Sequence, residues 1–294
     1  MLRLAVATAE ETFERMQAPL AERGIEASHV QSRGRTIDLD HSPYDAFDVG
    51  FVYPPREIEG AVVDAHLDVP WVNDRAAVLR SRNKAAVLTR LSGAGIPTPD
   101  TMLVSHETDE ADLVDTFDRF DPPVVVKPTS TTRGLGIAKV HDLDSFLGML
   151  DYVDLVHDFR ATGDKSFLVQ EFVPDARDLR VMVVDGEYAG AVERRQRGDA
   201  ASGTPASEHD GWKHNVHRGA EAVSIDLEPD LQALAERVAA ELDVPYLGVD
   251  LLVTDDRVLV SETAARPTID DVAKYDDGFW DRLAALIRRT AENE

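Results

Sequence analysis

Lys127 closes the run Val124-Val125-Val126-Lys127-Pro128, placing an ammonium at the end of an otherwise apolar strand. A charge buried there is costly unless an anion meets it. Further on, the apolar run from Phe167 turns polar at Gln170-Glu171. Between the two lies TSTTRGLG (Thr129–Gly136), where Gly134 and Gly136 allow backbone amides to approach a phosphate. Asp250 sits inside GVDLLV and Glu262 ends VLVSE. If those two runs pair, alternation carries both carboxylates to one face, a hard-oxygen site suited to Mg²⁺ bridging nucleotide phosphates. A last group, WKHNVHRG (Trp212–Gly219), clusters Lys213, Asn215, His217 and Arg218 as donors for carboxylates or phosphates. Each feature alone has a plainer reading: a solvated rim lysine, an ordinary turn, an edge aspartate, a basic surface loop.

The elements that must position these groups alternate. Leu2–Thr8 reads as a first strand, with neither the basic start nor the apolar length of a leader peptide. Glu10–Gly24 is an amphipathic helix with Phe13, Met16 and Leu20 inward and Gly24 as its stop. A strand near Ile25–Val30, the run Val49–Tyr53, a helix over Glu57–Leu67 and a short strand at Val69–Val72 complete a βαβ rhythm, which implies a small parallel sheet. Arg75–Gly95 reads as one long helix halted by Ile96-Pro97-Thr98-Pro99. Strands follow at Thr101–Ser105, Val124–Lys127, Ile137–Val140, Phe167–Phe172, Leu179–Asp185 and Tyr188–Arg194, with helices at Asp109–Phe120 and Leu143–Val156. Gln196–Gly211 reads as a mobile loop. Then come a helix at Pro229–Leu242, a strand pair Leu247–Val253 and Val258–Glu262, and a last helix at Phe279–Arg289. The fold class is α/β plus α+β, in three units: 1–73, 74–169 and 170–294.

Composition narrows the function. The 294 residues hold 31 Lys+Arg against 55 Asp+Glu, a formal net charge of −24. Acidic residues are spread along the chain, a surface that repels itself unless salt screens it, as expected of an extreme halophile. General nucleic-acid binding needs the opposite sign and is excluded. With no cysteine there is no thiolate zinc site, disulfide or thiol nucleophile, and the cytoplasm is the expected location. No apolar stretch reaches the roughly 20 residues of a membrane helix. Two windows reverse the sign: Arg75–Arg90, with five cations and no acid, and Arg194–Arg218. Both suit something anionic.

In order, Arg82-Asn83-Lys84, GIPTPDT, VVVKP, the glycine loop, VQEFV, DLRVMVV, ERRQ, NVHRG, GVDLLV and SET resemble the ATP-grasp fold. More narrowly the chain is similar to the RimK-like α-L-glutamate ligases, from about Val72 to Arg266, with the first lobe as their preATP-grasp domain. The resemblance implies ATP, with Mg²⁺ or Mn²⁺, and a carboxylate–amine ligation through an acyl phosphate. Lys84 and Lys127 would touch the nucleotide. Gln170, Glu171, Phe172 and Val173 would form the adenine hinge, Asp178 would lie near the ribose, and Gly134 and Gly136 would close over the phosphates. Lys213, His214 and Asn215 would reach phosphate or metal, Arg218 would steady the acyl phosphate, and Asp250 and Glu262 would hold the metal. The partners implied are glutamate, a carboxylate acceptor and a second copy of the chain, with no membrane.

Three positions depart from the family pattern. Glu262-Thr263-Ala264 ends in Ala where the family has an amide ligand, leaving Thr263, Asp270 or water to compensate, or Arg266 to neutralise phosphate instead. Thr131 replaces a glycine, and Gln196–Gly211 is longer than the family pattern. Other readings are a different ATP-grasp ligase or kinase, a nucleotide-binding module without catalysis, and a dinucleotide enzyme. The last is weak, since Thr8-Ala9-Glu10 follows the first strand in place of G-x-G-x-x-G.

Overall fold

The computed structural model describes residues 1–105, 107–129, 136–156, 166–195, 221–269 and 274–292. The first lobe holds β1 (Leu2–Val6), α1 (Glu10–Ala21), β2 (Ile25–His29), β3 (Val49–Phe51) and α2 (Glu57–Leu67). Its sheet is parallel, in the order β2-β1-β3. Thr12, Met16 and Leu20 repeat every fourth residue on α1 and are buried beneath it. The expected strand at Val69–Val72 reduces to a single bridge between Gly50 and Trp71. There the two chains run so close that a Cβ on Gly50 would enter the Trp71 indole.

The expected single helix over Arg75–Gly95 is two: α3 (Arg75–Arg82) and α4 (Lys84–Gly93). Asn83 breaks them by leaving helical geometry (φ −79°, ψ 95°) and accepting the Ala86 backbone N–H at 3.1 Å. Asparagine prefers this local cap to a helix interior. Asp74 caps α3 in the same way, accepting from Ala77 N at 2.7 Å.

Beyond the linker, β4 (Thr101–Val104), α5 (Glu110–Phe117), β5 (Val124–Pro128), β6 (Ala138–Val140), α6 (Leu143–Val156) and β7 (Phe167–Glu171) build an antiparallel sheet, β4-β7-β5-β6. One face of it, with Val104, Val124, Val126, Phe167 and Val169, packs with Phe117 and Phe146 of α5 and α6 into a separate core. Alternation turns Thr101, Val125, Lys127 and Gln170 to the other face.

The third sheet is also antiparallel, β10-β9-β8-β11-β12, from β8 (Arg177–Val184), β9 (Glu187–Arg195), β10 (Glu221–Ser224), β11 (Tyr246–Val253) and β12 (Val258–Ala264). The short, half-buried β10 has no apolar pattern to announce it. Helices α7 (Pro229–Leu242) and α8 (Phe279–Glu292) pack on this sheet. Its core is continuous with that of the first lobe. Asn73 pins the two together from full burial: its amide donates to the carbonyls of Tyr246 and Ala265 at 2.7 Å each and accepts from Tyr246 N at 3.1 Å. Among the described residues no helix is long and apolar enough to cross a membrane.

Candidate active site

The charged face of the third sheet is assembled by register. Asp250 of β11 stands opposite Arg180 of β8 on one side and Glu262 of β12 on the other, and Asp178 of β8 stands opposite Arg194 of β9. Directly paired residues in a sheet share a face, so five charges converge. Arg180 grips Asp250 in a fork, Nε to Oδ1 and Nη2 to Oδ2, both at 2.7 Å. Arg194 joins them, with Nη2 at 3.1 Å from Asp250 Oδ2 and Nε at 3.0 Å from Asp178 Oδ1. Burial alone would raise the Asp250 carboxyl, but the two guanidiniums outweigh it and hold it at about 2. The same carboxylates raise both arginines above their ordinary value against the opposing effect of burial.

Glu262 remains more open, its side chain 41% exposed, with Lys84 Nζ at 3.6 Å from Oε1. Lys84 begins α4, so the Asn83 break directs this ammonium to the sheet edge. From the facing four-stranded sheet, Lys127 Nζ donates to Gln170 Oε1 at 2.5 Å, and the Gln170 amide donates to Thr101 Oγ1 at 2.8 Å. Burial lowers the Lys127 ammonium from its ordinary value; the Glu262 carboxylate opposes this and Lys84 adds to it. The cluster therefore sets Lys84, Lys127, Arg180 and Arg194 against Asp178, Asp250 and Glu262. Four cations over three carboxylates, in a chain of net charge −24, leave a positive centre suited to a polyanion. A cavity of about 390 Å³, lined by Arg82, Asn83, Thr129 and Ser166 among others, opens between the linker and the four-stranded sheet.

Gly136 closes the loop after β5 with φ +73°, and a Cβ there would lie 2.9 Å from the Pro128 ring. At the hinge, the side chain of Gln170 is spent on Lys127 and Thr101, and the Glu171 N–H donates to Asp100 O at 2.9 Å. The Glu171 carboxylate is held by Arg257 at the β11–β12 turn, at 3.0 Å. The Lys139 ammonium lies 4.6 Å over the Phe172 ring, and Val173 is buried. The structure brings together Lys84, Lys127, Gln170, Asp178, Asp250 and Glu262. Gly134, Lys213, His214, Asn215, Arg218, Asp270 and the Gln196–Gly211 loop lie outside the described residues.

Arg180 and Arg194 were not singled out as site residues from the sequence. The signal was present: Asp178-x-Arg180 puts two charges on one face of an apolar strand, and Arg194 opens a basic window. Asn73 gave no signal.

The two carboxylates fit a divalent cation in chemistry. Both are hard-oxygen donors on paired positions, and among the described residues no group of three or more His, Cys, Asp or Glu forms a complete cage. Mg²⁺ commonly takes one or two carboxylates and completes its shell with phosphate and water. Thr263 does not supply the third ligand: it lies on the opposite face, its hydroxyl 3.0 Å from Ser81 Oγ.

Residues 81–278 match the RimK-like ATP-grasp domain. A probable α-L-glutamate ligase of Citrobacter koseri is 30% identical over 205 residues, 69% of this chain and 62% of that protein. A ribosomal protein bS6–L-glutamate ligase of Shigella boydii is 29% identical over the same shares. The chain thus spans about three fifths of the length of these curated relatives. Among solved structures, a D-alanine–D-alanine ligase from Bacillus anthracis superposes with a TM-score of 0.73 at 18% identity, over 99% of this chain and 98% of the other. A RimK-domain ATP-grasp protein from Sphaerobacter thermophilus does so with 0.66 at 23%, over 99% and 98%. These two likenesses establish the ATP-grasp fold with its parallel-sheet first lobe.

Proposed function

This chain belongs to the RimK-like ATP-grasp family, and from that premise we propose that it is an ATP- and Mg²⁺-dependent carboxylate–amine ligase that adds glutamate to a carboxylate acceptor. The observation that carries the reading is the surplus of cations around Asp250 and Glu262, drawn from two facing sheets and the linker, in a chain otherwise strongly acidic. In this reading 1–73 is the preATP-grasp lobe, 74–169 the linker and first ATP-grasp lobe, and 170–294 the lobe of the metal and acceptor.

Lys84 and Lys127 hold the nucleotide phosphates, and Gln170 fixes the Lys127 ammonium so that it reaches them without a search. Arg180 and Arg194 set the orientation of Asp250 and neutralise it. Asp250 and Glu262 would hold Mg²⁺, which when bound supplies charge neutralisation on the phosphates. An acceptor carboxylate oxygen attacks the γ-phosphorus and ADP leaves, giving an acyl phosphate. The glutamate amine then attacks the acyl carbon, phosphate leaves, and the amine loses a proton. Lys213 and Arg218 steady the acyl phosphate. No residue forms a covalent bond to substrate; the rate comes from positioning and fixed charge. The acceptor is a carboxylate on a protein tail or on a small molecule. The acidic surface supports a cytoplasm rich in salt.

Phosphate release from ATP, with Mg²⁺ in concentrated KCl, tests the reading with and without glutamate across protein-tail and small-molecule acceptors. Phosphate formed only with a particular acceptor–amine pair, together with a product one glutamyl residue heavier, is the expected result. A stable phosphorylated product without amide would make the protein a kinase, and ATP binding without turnover in any pairing would make it a nucleotide-binding module.

A further inference from the structure

The turn after β3 brings the first lobe against the chain leaving β12. Val52 is fully buried with φ 58°, a left-handed backbone that a β-branched residue adopts only at a cost. The turn is held by Tyr53 N donating to Asn73 O at 2.8 Å, and it presents the Pro54 carbonyl to Arg266, whose Nη2 donates to it at 2.8 Å. Arg266 stands four residues beyond Glu262. Among the described residues no carboxylate pairs with it, although the chain holds 55 acidic side chains. The formal charge that bears on it is a like one, Arg82, the last residue of α3, which also has no carboxylate partner among the described residues. Burial first, and Arg82 second, push the Arg266 guanidinium down to about 10, against the phenol of Tyr53.

Arg266, with one neutral acceptor and the like charge of Arg82 bearing on it, forms an incomplete site between lobes. One guanidinium binds a carboxylate with two parallel hydrogen bonds, and a second supplies the balancing charge. Phosphate already has its cations in Lys84 and Lys127. We infer that Arg266 and Arg82, framed by the Tyr53–Pro54 turn, form a subsite for the carboxylate of an amino-acid substrate, placing that substrate beside Glu262. This rests on reading Glu262 as part of the reaction centre.

The test is thermal unfolding and binding with the full chain, using L-glutamate, L-aspartate, glutarate, the α-amide of glutamate and inorganic phosphate as separate probes, each with and without ATP and Mg²⁺. Wild type is expected to be stabilised by a free carboxylate more than by the α-amide. Arg266→Gln should weaken carboxylate binding by about tenfold or more and abolish that preference, leaving the ATP shift in place. The exposed Arg82→Gln, which removes no buried packing, should weaken it by several-fold and keeps the test open if Arg266→Gln does not fold. Unchanged carboxylate binding in either folded variant overturns the subsite, as does stabilisation by phosphate alone or by no carboxylate in the panel. A missing ATP shift beside an intact carboxylate shift would sink the ligase reading and spare the subsite, so the two failures are distinct.

Discussion

Arg180 and Asp250 face each other across β8 and β11 as a two-point fork, 2.7 Å on each arm, with the Asp250 side chain 3% exposed. With Arg194 added, a buried carboxylate on the face expected to hold metal is oriented by two guanidiniums. A buried ion pair of this kind contributes little net stability, but breaking it is expensive. Its value is in fixing where the carboxylate points.

That arrangement sets an acid response. The Asp250 carboxyl is held at about 2 against an ordinary 3.8, so its contribution is fully present above pH 3.8 and is lost as the pH falls toward 2. Denaturant unfolding should lose about 1 kcal/mol between pH 5 and pH 3 on account of this group, with a further loss of similar size as the pH falls to 2 and below. Asp250→Asn should be less stable at pH 5 by roughly 3 kcal/mol, since it strands two buried cations, and should lack that part of the acid slope.

Lys127→Met should leave the fold intact and weaken ATP binding by about tenfold to a hundredfold, read by calorimetry. Because burial lowers the wild-type ammonium, ATP binding should fall on the alkaline side at a lower pH than an exposed lysine would give. The stability of the nucleotide-free protein should move the other way, rising with pH there, because a lowered lysine favours the neutral form in the folded state.

Removal of the metal tests the carboxylate pair. Chelation should shrink the thermal shift that ATP gives wild type, and Glu262→Gln should lose the Mg²⁺-dependent increment while keeping the shift from nucleotide alone. Ala264→Asn, two residues along β12 and on the same face as Glu262, should raise Mg²⁺ affinity by several-fold.

Asn73→Leu should destabilise the protein by roughly 3 kcal/mol in denaturant unfolding. The change strands the Tyr246 N–H and the carbonyls of Tyr246 and Ala265 at the joint between lobes. Asn73→Asp, which keeps only the acceptor, should lie close to it.

The charge of −24 predicts a stability that rises with KCl over the molar range, because screening relieves self-repulsion spread over the whole surface. An unfolding midpoint that is flat or falls with salt would remove the halophilic expectation.

Periodicity and punctuation in the sequence were enough for most elements. Helices α2, α6 and α7 coincide with their expected ranges, because apolar spacing and local stops are properties of neighbouring residues. Lys127, Gln170, Asp250 and Glu262 stood out for a related reason: a polar group interrupting an apolar strand is visible without coordinates. What only the tertiary structure decided was partnership. Arg180 meets Asp250 from 70 residues away, Asn73 meets Tyr246 from 173, and Lys84 reaches Glu262 only because Asn83 breaks a run that reads as one helix. Strand register and lobe packing set those pairings, and both depend on burial summed over distant segments, which no local window contains.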